Sequence, residues 1–242
     1  MRDYDYEIWL DDVSNKDVGI TLQGAVEISA ATPRIETVEI PGRNGDLHFW
    51  DGSFENRTAS VDAFVYSPDF VKHRFGEVNQ WLLGNLGYRK LVTNDDREHF
   101  LMARVGNGAD IVARMNKLAP FTIKFDCRPE RFLTIGEERI EVYNKGTIVR
   151  NPTAFISKPL YKIYTCSSST ASVSVGANTL TFQPMTTDFV FYDAETRSMF
   201  DSDGDNLNMY ASGDLPFECG EQAVTFNDSV STVEIIPRWW EL

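Results

Sequence analysis

The sequence lacks the features of a disulfide-bonded or membrane-spanning protein. Its three cysteines, Cys127, Cys166 and Cys219, are odd in number and form no CxxC pair, which disfavours a disulfide scaffold and favours a reducing cytoplasm as the place of synthesis. No apolar run approaches the ~20 residues that a membrane-spanning helix needs. Residues 1–7 are too acidic and polar for a secretory signal. We therefore expect a protein that is soluble when it is synthesised.

Basic side chains are also scarce. The chain has 23 Lys and Arg against 36 Asp and Glu, and its net charge is −13. A basic surface that grips nucleic-acid phosphates is therefore not expected. Solubility is the simplest interpretation of the acidic charge. A second interpretation is that acidic side chains line a channel through which DNA passes without sticking.

No motif for catalysis or metal binding is present. The three histidines, His48, His73 and His99, are scattered, and neither HExxH nor a zinc-type Cys/His spacing occurs. There is no GxSxG nucleophile motif. The run Asp201–Asn206 resembles the start of a calcium loop, but it lacks the glycine at the sixth place and the glutamate at the twelfth, so a solvated turn is favoured. The sequence predicts no enzyme, no cofactor and no metal site.

Aromatic residues and short alternating runs predict a mainly β fold. Aromatic residues make up 12% of the chain, and they favour half-buried strands. Residues 119–127 alternate apolar and polar side chains, as a half-buried antiparallel strand does. One helix is predicted at about residues 68–86, with its start at Ser67-Pro68-Asp69 and its end at Gly84.

A break in the pattern near residues 128–136 predicts two domains, 1–132 and 133–242. In the first, a hairpin is predicted around residues 94–96 and a loop at 106–110. The second domain shows only short strands, which is typical of a β-sandwich. The strands expected there are 140–143, 153–156, 160–164, 171–175, 179–182, 188–192, 222–226 and 232–236.

Two short motifs stand out. In Pro41-Gly42-Arg43-Asn44-Gly45-Asp46-Leu47, the proline fixes φ and the glycines permit positive φ, which predicts a tight connection between two strands. The C-terminal motif is Pro237-Arg238-Trp239-Trp240. Three further stretches complete the pattern: Phe121–Pro129, Asn144–Thr147 with Asn151-Pro152, and Gly213–Pro216.

In this order, over most of the chain, these motifs resemble those of the distal tail protein (Dit) family of long-tailed phages that infect Gram-positive bacteria. One departure is Cys219-Gly220-Glu221-Gln222, where the family often has Pro-Gly-Glu-Asn. The resemblance implies an N-terminal, ring-forming β domain that is barrel- or sandwich-like and carries one α-helix. A galectin-like β-sandwich is expected to follow it.

The resemblance also implies a function. Proteins of this family form a hexameric ring in the baseplate, which joins the tail tube to the tail-tip apparatus and surrounds the DNA channel. The implied partners are further copies of the chain, the tail tube protein, the tail-associated hub protein and receptor-binding proteins. The genome passes through the lumen without specific binding, and no membrane is involved. The implied location is the tail tip of a phage or prophage virion, after synthesis in the host cytoplasm.

The candidate subunit-contact residues are the family motifs themselves: Pro41, Gly42, Arg43, Gly45, Asp46, Pro237, Arg238, Trp239 and Trp240. For the first motif, a local turn with no partner is an equal alternative. For Trp239 and Trp240, a place in the core or at the domain junction is favoured over a sugar-stacking platform, because adjacent strand residues face opposite sides.

Two other functions stay open. The main alternative is a carbohydrate-binding module that attaches a virion to the host cell wall. The other is a cell-wall hydrolase. Its required pair of carboxylates cannot be chosen from this sequence.

Overall fold

The computed structural model describes residues 5–106, 117–167, 169–183 and 189–242. The chain divides into two compact units, Met1–Arg131 together with Leu242, and Phe132–Glu241. The described residues form many strands and a single α-helix, so the mainly β prediction is confirmed.

In the first unit the strands are β1 Ile8–Leu10, β2 Val13–Ser14, β3 Ile20–Leu22, β4 Glu27–Ile28, β5 Pro33–Val38, β6 Leu47–Phe54, β7 Arg57–Tyr66, β8 Arg89–Thr93 and β9 Asp96–Val105. The long strand β10, Leu118–Leu133, leads into the second unit, where the strands are β11 Ile140–Val142, β12 Thr147–Asn151, β13 Leu160–Thr165, β14 Ala171–Val175, β15 Asn178–Phe182, β16 Phe189–Asp193, β17 Ser198–Phe200, β18 Ala211–Gly213, β19 Gly220–Phe226, β20 Val230–Ile236 and β21 Trp240–Glu241. Helix α1 is Phe75–Leu83, and 3-10 turns occupy Val71–Arg74, Thr134–Glu137 and Asn208–Tyr210.

The first unit is built on one sheet in the order β2-β1-β8-β9-β10-β7-β3, with β4 also paired to β7. Alternate side chains of β7 and β10 face the core, and Val61 and Phe125 are among those fully buried. Val78 and Leu82 of α1 pack into the same core. The half-buried strand predicted at residues 119–127 is confirmed as part of β10, and the hairpin predicted around residues 94–96 is confirmed as β8–β9.

The helix prediction is wrong at its start. Helix α1 begins at Phe75 and not near residue 68, and no side chain caps it. At the predicted start the strand pairing still continues, since the Ser67 backbone N–H donates to the carbonyl of Lys117 at 3.0 Å. Phe70 is still extended, with φ −119° and ψ 120°. The helical turns can begin only after it.

The second unit is a β-sandwich, as the strand pattern predicted. One sheet has the order β11-β20-β13-β16-β17 and the other β12-β19-β14-β15-β18. Their inner faces share one core, whose fully buried members include Tyr161, Ile163, Val173, Leu180 and Val233. Tyr161 also donates its hydroxyl proton to the carbonyl of Leu215, at 2.9 Å.

The strand predicted at residues 153–156 is absent. The Asn151 side chain binds this segment at two points: its Oδ1 accepts the N–H of Thr153 (3.0 Å), and its Nδ2 donates to the carbonyl of Phe155 (2.8 Å). These bonds fold the chain back after β12, as asparagine side chains do in turns. Two predictions lie partly outside the described residues. They are the loop at 106–110, from residue 107 on, and the strand at 188–192, at residue 188.

No helix among the residues that the structure describes is long and apolar enough to cross a membrane.

Candidate functional site

Strands β5 and β6 form a two-stranded antiparallel ribbon outside the main sheet of the first unit. We call residues 33–54 the arm. Within the described residues, its hydrogen bonds and ring contacts join residues between 32 and 55 only. Trp50, for example, donates its indole N–H to the carbonyl of Ser53 (2.9 Å) and meets the edge of Phe54 at 5.5 Å. The arm therefore extends from the unit without a described covering element.

Both faces of the arm carry apolar side chains in contact with solvent. The register pairs Glu36 with Phe49 on one face and Ile35 with Trp50 on the other. Ile35, Phe49 and Trp50 are 49%, 57% and 54% exposed. An isolated two-stranded hairpin is marginally stable in water, and contiguous exposed apolar surface marks interaction sites. The arm thus has the properties of a surface that another chain covers.

The Pro41–Asp46 motif forms the tip of the arm, and each of these residues is exposed. The Arg43 N–H donates to the carbonyl of Ile40 at 3.1 Å and closes a turn. Gly42 and Gly45 have φ of 82° and 79°, and an added Cβ would meet no atom within 4 Å at either position. The glycines are therefore needed for the backbone conformation and not for space.

In the C-terminal motif, Trp239 belongs to the core of the second unit. It is 3% exposed, and its ring meets that of Phe217 edge to face at 5.0 Å. Gly136 makes this packing possible, because a Cβ there would lie 2.5 Å from the backbone nitrogen of Trp239. The Gly136 carbonyl also accepts the N–H of Arg238 at 2.8 Å. Sequence reasoning did not find the role of Gly136.

Trp240 and Arg238 also have their contacts inside the second unit. Trp240 stacks on Phe155 with a centroid distance of 4.4 Å and donates its indole N–H to the carbonyl of Ile156 at 2.9 Å. Arg238 binds Asp193 through two hydrogen bonds. One face of the Trp240 ring is thus already occupied, which disfavours a sugar platform. The Pro41–Asp46 motif lies in the first unit and the Pro237–Trp240 motif in the second. The contacts described for each motif lie within its own unit.

Carboxylates and histidines form local structural contacts. Among the residues that the structure describes, no three or more His, Cys, Asp or Glu side chains are placed to hold a metal ion. In the predicted acidic turn, Asp201 Oδ1 accepts the N–H groups of Asp203 (3.0 Å) and Asp205 (2.9 Å), so this carboxylate folds the loop onto itself.

An ion cluster in the first unit joins Asp96 to His99 and Arg131. Asp96 contacts His99 Nδ1 at 2.9 Å and accepts a hydrogen bond from Arg131 at 2.7 Å. Burial raises the pKa of Asp96, but the hydrogen bonds from His99 and Arg131 outweigh it, and the pKa lies below the ordinary value. The adjacent cavity of about 40 Å³ has room for a few water molecules but not for a substrate. The cluster is thus best explained as a structural contact.

The apolar side chains of the arm were not identified from the sequence. Ile35 and Trp50 lie on the same face, while Phe49 faces the other way. Apolar residues on both sides of a short strand usually indicate burial on both faces. In the arm, apolar residues on both faces flank the Pro41–Asp46 turn motif. This combination in the sequence could have indicated an exposed two-stranded ribbon.

The first unit thus combines a sheet with one helix, and the second is a two-sheet sandwich. Among solved structures, the chain resembles SPP1 Dit (gp 19.1), with a TM-score of 0.74 and 16% identity over 95% of this chain and 97% of that chain. That protein is described as a paradigm of the hub adsorption apparatus in phages that infect Gram-positive bacteria. No family model and no curated protein matches the sequence. The Dit-like fold that the motifs predicted is thus confirmed.

Proposed function

We propose that this protein is a structural component of a phage tail tip, a distal tail protein, and not an enzyme. In this proposal it forms a hexameric ring that joins the tail tube to the tail-tip apparatus and surrounds the DNA channel of the virion. The observation that carries the proposal is the exposed, apolar arm on a Dit-like fold, because such an arm needs a second chain to cover it.

A ring of identical subunits requires a head-to-tail interface in which two different surfaces meet. The arm supplies one of these surfaces, and its tip, with Arg43, is the part that extends furthest along the ribbon. We assign ring formation to the domain of residues 1–132. We assign the contacts with the tail tube protein, the hub protein and receptor-binding proteins to the sandwich, residues 133–242.

The net charge of −13 supports passage of the genome without specific binding. Like charges repel, and few lysines and arginines are available to replace the counterions of DNA. We therefore expect the lumen of the ring to be negatively charged. A mapped potential with a strongly positive channel would contradict this part of the proposal.

Light scattering coupled to size exclusion tests the proposal. Six chains of 27.5 kDa give a ring of about 165 kDa, and we expect this mass for the purified protein at high concentration or together with its tail tube and hub proteins. A mass of one chain under all of these conditions would contradict the proposal. Arg43→Ala is a narrower test, because an unchanged ring mass would remove Arg43 from the contact.

A carbohydrate-binding module is the second candidate, and one observation favours it. On the outer face of the sheet that contains β16, Phe191 and Phe200 stack at 5.3 Å, and the Lys162 ammonium lies 4.1 Å above the ring of Phe189. Aromatic rings beside polar groups suit the apolar faces and hydroxyls of sugars. Reproducible glycan-array binding that Phe191→Ala abolishes would favour this candidate.

A further inference from the structure

The first unit has a second exposed apolar surface, separate from the arm. Tyr66, Phe70 and Leu118 are 59%, 56% and 37% exposed. Tyr66 and Leu118 are cross-strand neighbours of β7 and β10, and Phe70 follows in the connection that leaves β7. We call these three residues, with Lys72 and Lys117 beside them in sequence, the end patch.

The arm and the end patch lie at opposite ends of strand β7. The arm returns to the sheet where β6 ends at Phe54 and β7 begins at Arg57. It leaves the sheet near the same end, since β4, which precedes it, pairs with Ala59 and Ser60. The end patch begins at Tyr66, the last residue of β7. Nine residue steps at ~3.3 Å separate the two ends by about 30 Å.

The two surfaces carry opposite charges. The arm, residues 33–54, contains four carboxylates and two arginines, which gives a net charge of −2. At the end patch the charged residues are Lys72, Lys117 and the neighbouring Asp69, which gives +1, since Arg74 is paired with Glu77 at 3.3 Å. A locally positive surface is unusual in a chain of net charge −13. Complementary potentials of this kind select a partner and orient it.

We propose that, in the ring, the arm of one copy docks on the end patch of the next copy. The occupant is therefore a second copy of this chain, and this inference rests on the proposed function. The face of the arm that carries Phe49 covers Tyr66 and Phe70. Glu36 on the same face, and Asp46 at the tip, lie near Lys72 and Lys117. The two surfaces are different and lie at opposite ends of one strand. When two copies bind, one arm and one end patch therefore remain free to bind further copies, as a closed ring requires.

Site-directed cross-linking tests this contact. Cys166 and Cys219 are exposed and are first replaced by serine, whereas Cys127 is buried, its pKa is raised to about 12 by burial, and it stays. One preparation then carries His48→Cys in the arm, and a second carries His73→Cys beside Phe70. Both histidines are exposed, so the changes leave the apolar surfaces intact. After mixing and treatment with a short bis-maleimide, we expect at least tenfold more two-chain product than from either preparation alone.

A matched control replaces His73→Cys by Asp12→Cys. Asp12 is exposed in the turn between β1 and β2, at the other edge of the sheet, and we expect only background product with it. The protein could have the six-copy mass while the arm cysteine is cross-linked no better to position 73 than to position 12. This result would contradict the proposed docking surface but not the proposed ring. If the protein remains a single copy with its tail partners and no product forms, both proposals fail.

Charge reversal gives an independent test. Lys72→Glu with Lys117→Glu should weaken association at least tenfold, and Glu36→Lys with Asp46→Lys in the same chain should restore it. Weakened association that the arm substitutions fail to restore would contradict a direct contact between these charges.

Discussion

Arg238 holds Asp193 through two hydrogen bonds, at 2.8 and 3.2 Å, from a backbone that lies in the left-handed region with φ of 52°. The two side chains are 28% and 18% exposed, so the ion pair is largely shielded from water. A residue with a Cβ is strained at this φ. The ion pair therefore holds a turn that the backbone alone does not favour.

This relationship predicts different effects for two substitutions of Arg238. Arg238→Ala removes the ion pair and keeps the strain, and we expect it to lower the free energy of unfolding by about 1–3 kcal/mol. Arg238→Gly also removes the pair but relieves the strain, so its loss should be smaller by about 1 kcal/mol. Urea unfolding followed by tryptophan fluorescence measures both. A glycine variant no more stable than the alanine variant would show that the strain is negligible.

Tyr161→Phe should destabilise the protein because it leaves the carbonyl of Leu215 buried without its donor. The Tyr161 hydroxyl is fully buried, and burial raises its pKa well above the ordinary value, so the proton stays in place. We expect a loss of about 1–3 kcal/mol in the free energy of unfolding. Tyr143→Phe is the matched control, since Tyr143 is 63% exposed, and it should change stability by less than about 0.5 kcal/mol. Equal effects of the two substitutions would contradict the role of this bond.

The Asp96 cluster predicts a dependence of stability on acid pH. The pKa of Asp96 in the folded protein lies below its ordinary value, because hydrogen bonds from His99 and Arg131 outweigh burial. A depressed carboxyl pKa stabilises the fold above the pKa of the unfolded chain, and this stabilisation is lost as the pH falls through the folded value. Asp96→Asn should therefore be less stable than the wild type at neutral pH, and the difference should shrink below pH 3.8.

Thermal unfolding over this pH range measures the effect. Asp95→Asn is the control, because Asp95 is exposed in the same turn and makes no ion pair within the described residues. A stability difference between wild type and Asp96→Asn that stays constant from neutral to acid pH would exclude the ionised carboxylate as its cause.

Serine substitutions in the arm should separate assembly from folding. The combined variant Ile35→Ser, Phe49→Ser and Trp50→Ser changes side chains that are about half exposed, so each change should alter folding stability by no more than about 0.5 kcal/mol. Association should fall strongly, because the proposed contact with a second copy loses its apolar surface. A loss of folding stability equal to that of a core substitution would show that the arm packs on its own chain.

Local patterns sufficed to predict the elements that are half buried. The alternation in residues 119–127 gave strand β10, and the glycines at 42 and 45 gave the turn at the tip of the arm. The start of the helix could not be predicted, because the chain stays extended past Ser67, whose N–H pairs with the carbonyl of Lys117 about 50 residues away, and as far as Phe70.

The candidate site was only partly predictable for a related reason. An apolar residue such as Trp50 or Trp239 has the same pattern whether it faces a core or solvent. Trp239 enters the core because Gly136 leaves room for its backbone, whereas Trp50 lies in a ribbon that no described element covers. Both outcomes depend on tertiary structure that the local sequence does not encode.

Ring formation is best tested by electron microscopy of the purified protein in negative stain, alone and with the proposed tail tube and hub partners. We expect closed rings of six copies with an open centre, and we expect none from the serine variant of the arm. Fields of single copies under every condition would contradict ring formation.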